Sequence, residues 1–449
     1  MSKQRIQLSD HFTYFRLLRF VLPCIGTMLF TSIYGIVDGL CVSNFVGKTA
    51  FAAVNLIMPL PMLLGTIGFM LGTGGSAIVG ITLGEGDQKK ADRYFTLFLL
   101  AALVSVSVLA VLGIVFLRPI AVLLGAKGEL LDYAVRYGRI LMVSLPTFAL
   151  QNMFQSFFVT AEKPHLGFWF TVGAGCTNMV LDVLMVGIWG WGVEGAAIAT
   201  FISQLVGGVL PVFYFIDRSN SSRLHLCKTS FYSKVLRDAC INGSSELMTN
   251  LSMSLVNILY NYQLLRLAGE NGVAAYGVIM YAAFLFVAVF VGYAVGSAPI
   301  VSFHYGARNH TEVHNLYRKS LRLIAVVAVT LTLASMFIIP CVARIFVGYD
   351  AELLALTSRA FRLYALSFLI MGFNVYASSF FTALGDGVTS ALISFLRTLA
   401  FQVIAILLLP LLLGIDGIWL AVTAAELAAL AVSAAMLLTK DKVFHYRKA

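Results

Sequence analysis

Charge is scarce in this sequence. Asp, Glu, Lys and Arg make up 12% of its 449 residues against 59% hydrophobic ones, too little polar surface for a water-soluble domain. No GxxxxGK[ST] phosphate loop occurs, which argues against a self-contained ATP-driven pump. The six cysteines form no CxxC pair, so neither a disulfide framework nor a zinc cage is expected and they read as small packing residues. The seven histidines all fall in connections or tails; His310 and His314 have a spacing that could hold zinc, but on a loop they read as solvated. A membrane-embedded enzyme, which needs a nucleophile–base or metal constellation, is therefore a less favoured alternative. Gly72-Thr73-Gly74 with Ala77 imitates a dinucleotide fingerprint, yet it lies inside an apolar run with no strand before it, so helix packing explains it.

What the sequence does have is apolar runs of membrane-spanning length, about 20 residues each. Twelve are read: 17–44, 51–81, 94–117, 133–159, 166–188, 193–216, 236–266, 272–301, 319–343, 355–383, 388–413 and 416–438. The first follows a basic N-terminus but exceeds a signal sequence in length and lacks a cleavage pattern, so it is an uncleaved helix. The formal charge of +10 does not point to nucleic acid, because the basic residues sit in the connections. With a cytoplasmic N-terminus, and with Lys and Arg toward the ends of runs counted with the adjoining loops, 21 lie on the inner side and 9 on the outer, Arg397 alone falling near the middle of a run. That asymmetry places both termini in the cytoplasm.

The chain also repeats itself at an offset of about 222 residues. Gly75-Ser76-Ala77 aligns with Gly296-Ser297-Ala298, Gly84 with Gly306, Ser144 with Ser367, and Gly192-Val193-Glu194-Gly195 with Gly414-Ile415-Asp416-Gly417. Shared composition alone would not preserve that order. The expectation is an all-α integral membrane protein of two pseudo-symmetric six-helix bundles, residues 1–216 and 236–449, joined by a cytoplasmic linker at 217–235. An even number of spans per half implies an axis along the membrane normal, and two such bundles enclose a cleft suited to alternating access.

Ionisable residues within the runs are few: Asp38, Asp182, Glu246, Arg397 and Glu426. Each costs about 2.5–3.5 kcal/mol at a helix centre on insertion scales, so function is the default reading. Counted from the helix ends, Asp38, Asp182 and Thr200 all lie roughly 10 Å below the outer surface of the first bundle, and Asn178 shares a helix face with Asp182. Two carboxylates, an amide oxygen and a hydroxyl at one level suit Na⁺ or a proton; the alternative is two carboxylates separately satisfied by neighbouring helices. By the repeat, Asp38 corresponds to the neighbourhood of Tyr260 and Asp182 to that of Ile404, so this site belongs to one half only. Glu246 is either a second protonation site or a solvated helix end. Arg397 and Glu426 read as a structural pair, and Asn250, Asn257 and Asn261 share one helix face.

SIYGIVDGLCVSNFVG at 32–47, GTGGSAIVGITLGEGDQKKADRYF at 72–95, NMVLDVLMVG at 178–187 and GVEGAAIATFISQ at 192–204 together resemble the multidrug and toxic compound extrusion (MATE) family over essentially the whole chain. The resemblance implies a V-shaped pair of bundles acting as a secondary transporter in the inner (plasma) membrane, not an enzyme, with no cofactor besides the coupling ion. It would export cationic or amphipathic small molecules in exchange for Na⁺ or H⁺, as a monomer that binds no nucleic acid. The branch it most resembles carries the coupling site on Asp38, Asn178, Asp182 and Thr200, which would hold Na⁺ if sodium is the ion. Tyr34, Tyr137, Asn152 and Gln155 match positions lining that lobe, and Glu246 keeps coupling through the second half open. Rival readings are a lipid-linked oligosaccharide flippase of the wider superfamily, which tends to present a strongly basic cleft where this chain has one in-span basic residue, and a passive channel.

Overall fold

The structure, a computed structural model, describes residues 6–447 apart from 47 and 349, while the side chains of 36, 38–45, 48, 51, 342, 345 and 346 lie outside the described residues. Among the described residues there is no strand. Twelve helical passes follow in order: α1 (Tyr14–Val46), α2 (Pro59–Gly84), α3 (Gln88–Leu123), α4 (Glu129–Thr160), α5 (Pro164–Ile188) and α6 (Gly192–Ile216), then α7 (244–268), α8 (270–306), α9 (His310–Val347), α10 (Ala351–Ala365 and Phe368–Ala383), α11 (Gly387–Leu413) and α12 (Ile415–Thr439). The helix Ser244–Gly306 counts as two passes because Gly269, at φ 60° and ψ −150°, breaks it, a conformation that glycine adopts at little cost. The halves of α10 meet at a bend of 46°.

Two boundaries differ from the sequence reading. A short helix, Lys48–Ile57, precedes α2, so the second pass starts at Pro59, where proline is favoured in a first turn. The seventh pass starts at Ser244 instead of 236, because Ser233–Asn242 forms its own helix ending at Gly243. That short helix is seated between the bundles: a Cβ on Gly74 would lie 2.2 Å from Ala239 O, and one on Gly387 would lie 2.2 Å from Asn242 Cα. The connection before it runs along the start of α3, where His225 N–H donates to Asp92 (3.0 Å) and Cys227 N–H to the Thr96 hydroxyl (3.1 Å).

The repeat extends to backbone detail. Asp87 caps α3 by accepting from Lys90 N–H, and Asn309, 222 residues on, caps α9 by accepting from Glu312 N–H. Gly192 and Gly414, at φ 61° and 60°, open the sixth and twelfth passes. Repeat-related residues also touch each other. A Cβ on Gly84 would meet Phe303 O at 2.0 Å, and a Cβ on Gly306 would meet Ile81 O at 2.0 Å, a reciprocal contact of the kind a two-fold axis produces. The two bundles therefore lie backbone to backbone where α2 and α8 end, on the face that also carries both termini.

The segment before α1 spans that same face. Leu8 N–H donates to Glu162 Oε1 (2.9 Å), which Arg223 also engages, while Phe12 N–H donates to Glu312 Oε1 (2.9 Å) and His11 Nδ1 lies 2.6 Å from Glu312 Oε2. Nearby, the carboxylate of Asp386 caps α11 through Thr389 N–H (3.2 Å) and meets Lys440 Nζ at 2.8 Å. Burial pushes this carboxyl up, but the Lys440 ammonium and the two Thr389 donors outweigh it and hold its pKa below the ordinary aspartate value. Such a group adds stability that is complete above about pH 3.9, the unfolded-chain value, and is lost as pH falls through the lower folded value. Asp386→Ala is therefore expected to destabilise the purified protein by about 1 kcal/mol, a typical cap contribution, at neutral pH. The deficit relative to the native chain should shrink below about pH 3.9; a deficit that stays constant down to pH 2.5 in thermal unfolding contradicts this account.

Candidate cation site

α5 carries the first-bundle site. Asn178 and Asp182 lie one turn apart on it, 2% and 0% exposed, and directly after Asp182 the helix widens into a π turn over Val183–Ile188. Such turns shift the register of the side chains that follow and concentrate at functional sites. Both amide atoms of Asn178 are buried and without a hydrogen-bond partner among the described residues, a state that costs roughly 1–3 kcal/mol for each unmet group unless something else occupies it.

Asn178 faces a cavity of about 190 Å³ whose polar wall also includes Tyr34, Ser144, Thr200, Ser203 and Gln204. The Thr200 hydroxyl donates to Ala196 O at 3.0 Å, so its proton is committed to the backbone and its lone pairs remain available as acceptors. Gln204 Oε1 is buried and likewise without a partner. Asp182, one turn from Asn178, is not on the wall of this cavity; the amide and hydroxyl oxygens that are on it are ligands of the kind a small hard cation takes. Asp38 is on α1, but its side chain lies outside the described residues. Among the described residues no group of three or more His, Cys, Asp or Glu could hold a metal, so any cation here depends on neutral oxygens in part.

The remaining expected residues scatter. Tyr34 lines the cavity, whereas Tyr137, 1% exposed, is packed in an apolar cluster with Ile57, Leu117, Leu141 and Val186. Asn152 is buried with its Nδ2 unpartnered among the described residues but is off the cavity wall, and Gln155 faces a small gap shared with Cys24 and Val295. Sequence reasoning missed Ser203 and Gln204, which Thr200 plus helical spacing on α6 would have found, and Ser144, which the repeat had paired with Ser367.

Glu246 is half-buried at the start of α7. It lines a cavity of about 110 Å³ between the bundles, bordered by Ser76 and Ser156 from one and by Ser378, Ser394 and Arg397 from the other. Arg397 also borders a second-bundle cavity of about 190 Å³. There its Nε lies 3.6 Å from Glu426 Oε1, while Asn374 Nδ2 donates to Glu426 Oε2 at 2.7 Å, so the expected pairing is present. Of the three asparagines on α7, Asn257 accepts from Tyr276 Oη (2.6 Å) and Asn250 donates to Glu246 O (2.9 Å), while Asn261 is exposed.

A profile of the MatE family matches this chain twice, over residues 23–184 and 247–408. The two matches begin 224 residues apart, close to the internal offset seen in the sequence. The multidrug export protein MepA of Staphylococcus saprophyticus is 21% identical over 433 residues, 95% of this chain and 94% of that protein. Two solved structures superpose over the full length of both chains at 22% identity and TM-score 0.92: a MATE in complex with MaL6, and a multidrug resistance MATE family transporter of the MOP superfamily in an outward-facing conformation. Their fold of twelve helices in two bundles is the fold seen here.

Proposed function

Because the chain belongs to the MatE family, a family of multi-pass membrane transporters and not of enzymes, we propose that it is a secondary multidrug exporter that drives cationic or amphipathic small molecules outward in exchange for Na⁺ or H⁺. The MepA proteins, which match along nearly all of their length, support the drug-export part. The observation that carries the exchange part is the buried Asn178 amide, neither atom of which is hydrogen-bonded among the described residues, one turn from Asp182 and facing the same cavity as Thr200. A cation or proton taken up by Asp38 and Asp182, with Asn178 and Thr200 supplying neutral oxygens, would stabilise one arrangement of the first bundle. Drug and ion then compete for, or require, different states of one conformational equilibrium, which is all that coupling needs.

In this proposal residues 1–216 and 236–449 are the two lobes, 217–235 links them, and the face carrying the termini is cytoplasmic in the plasma membrane, as the basic residues of the inner loops favour. Tyr34 lines the path through the first lobe; Tyr137, Asn152 and Gln155 support its walls. A monomer suffices, since each part of the site lies within one chain.

The test is efflux of ethidium from proteoliposomes under an imposed Na⁺ gradient and, separately, an imposed pH gradient. One of the two is expected to accelerate efflux at least about 10-fold, the lower range of typical coupling energies. Equal rates under both gradients and under none would mean that the protein is a passive pathway.

A further inference from the structure

The two cavities buried within the lobes occupy equivalent places. At an offset of 222, Tyr34, Met58, Met62, Thr200 and Gln204 of the first correspond to Val256, Met280, Phe284, Val422 and Glu426, all of which line the second. Asp38 corresponds to Tyr260, which lines it too. The pocket has thus been kept while its chemistry was exchanged: a carboxylate, Glu426, stands on α12, an aromatic ring, Tyr260, stands at the place of Asp38, and Asn178, Asp182 and Thr200 give way to Ala400, Ile404 and Val422.

Those rings form a built surface. Tyr260 and Tyr276 stack with centroids 4.9 Å apart, and Tyr364 and Phe284 complete the wall. Tyr260 Oη is buried without a partner among the described residues. Met253, Met280 and Met371 add flexible, polarisable surface of the kind that adapts to ligands of different shape.

The ion pair at the floor is loose. Arg397 Nε and Glu426 Oε1, at 3.6 Å, are both buried and neither atom makes a hydrogen bond among the described residues. Arg397 also borders the neighbouring cavity that holds Glu246. Among the described residues these three are the charged groups lining the two adjoining cavities, so two carboxylates share one guanidinium. The site is formally one positive charge short.

We propose that the second-lobe cavity binds an aromatic monocation, whose positive charge replaces Arg397 beside Glu426 while its rings stack on Tyr260 and Tyr276, and that Arg397 turns toward Glu246 to make room. Arg397 acts in the empty protein as a tethered stand-in for the ligand's charge. It sits on a π turn of α11 (Leu396–Ala400) and faces both cavities, so a change of side-chain rotamer suffices. Binding brings the two carboxylates and two cations into balance, and cation–π attraction adds to the burial of the rings.

The inference rests on the export reading and names where the drug sits. Ethidium fluorescence on titration into the purified protein, held in nanodiscs of zwitterionic lipid, tests it without any gradient. Glu426→Gln is expected to weaken binding at least about 10-fold, and Arg397→Gln to tighten it about 3- to 10-fold, in line with cation–π and buried-charge energies. Opposite signs are the signature, since a merely structural pair would lose binding from either side. Weakened binding in both variants, at native unfolding temperatures, or native affinity in both, overturns the proposal. Should Arg397→Gln not fold, Tyr260→Leu and Tyr276→Leu are each expected to weaken ethidium binding several-fold, and native affinity in both overturns it equally. Native affinity in these variants alongside gradient-driven efflux by the unmodified protein removes this site and leaves the export reading standing; a protein that neither binds nor exports ethidium removes both.

Discussion

Asp182→Asn is expected to abolish gradient-driven efflux, lowering the initial rate about 100-fold, which corresponds to the upper range of typical coupling free energies. The substitution keeps volume and hydrogen-bonding capacity but removes the charge from a side chain that is 0% exposed. Without it the proposed site keeps one carboxylate, Asp38, beside the neutral oxygens of Asn178 and Thr200: a weaker set for holding Na⁺ against hydration, and one that lacks the second carboxylate whose charge would raise the affinity of the first for a proton. Asn178→Leu should act in the same direction but less strongly, about 10-fold, because it removes one neutral ligand while relieving the unmet amide. Two readouts separate this from simple damage. Unfolding temperature should be unchanged or raised in Asn178→Leu, since a buried amide with no partner among the described residues is replaced by an apolar group of similar size. Ethidium binding should persist in Asp182→Asn, because the rings and Glu426 lie in the other lobe. Efflux at the native rate in Asp182→Asn would remove the site from the coupling mechanism.

Much of this was legible in the sequence because it is written in periods longer than a residue's own surroundings. The twelve passes follow from the length of apolar runs, and the two bundles from an offset that preserves Gly84 against Gly306 and Gly192 against Gly414. Asn178 and Asp182 were legible because polar groups at helical spacing inside a span have few innocent explanations. The second-lobe cavity was not. Tyr260, Tyr276 and Tyr364 are ordinary lining for a membrane helix until packing brings α7, α8 and α10 around one space, and Val422 standing for Thr200 carries no signal at all. Tyr137 shows the converse: a polar-tipped ring on the expected lobe turned into an apolar cluster, because its helix face, one turn from Leu141, belongs to the packing side of α4. The break at Gly243 was also hidden, since nothing in an apolar count distinguishes a short helix seated between the bundles from the first turns of a span.

The contact between Gly84 and Gly306 sets the second large expectation. Alternating access requires the bundles to part on the face where they now touch and to meet again once per cycle. At this seam the obstacles to a Cβ are backbone atoms, Phe303 O at 2.0 Å and Ala307 N at 2.7 Å from position 84, and Ile81 O at 2.0 Å from position 306. Backbone cannot yield as a side chain tip can, and packed interfaces switch between discrete arrangements more readily than they deform. Gly84→Leu should therefore leave each bundle intact but forbid their close approach, holding the protein open toward the face that carries the termini. Efflux is expected to fall at least about 100-fold, since shifting a two-state equilibrium from one side to the other takes an energy of that order or more. Ser302, fully buried at the seam with its Cβ 2.8 Å from the position a Cβ on Gly80 would occupy, reports the geometry. In a chain with its six native cysteines replaced, Ser302→Cys should resist a membrane-impermeant maleimide applied from that face, and should react at least about 10-fold faster when Gly84→Leu is added, as expected for a population shift toward the open state. Slow labelling in both backgrounds, with efflux intact, would mean that the bundles alternate without opening at this seam.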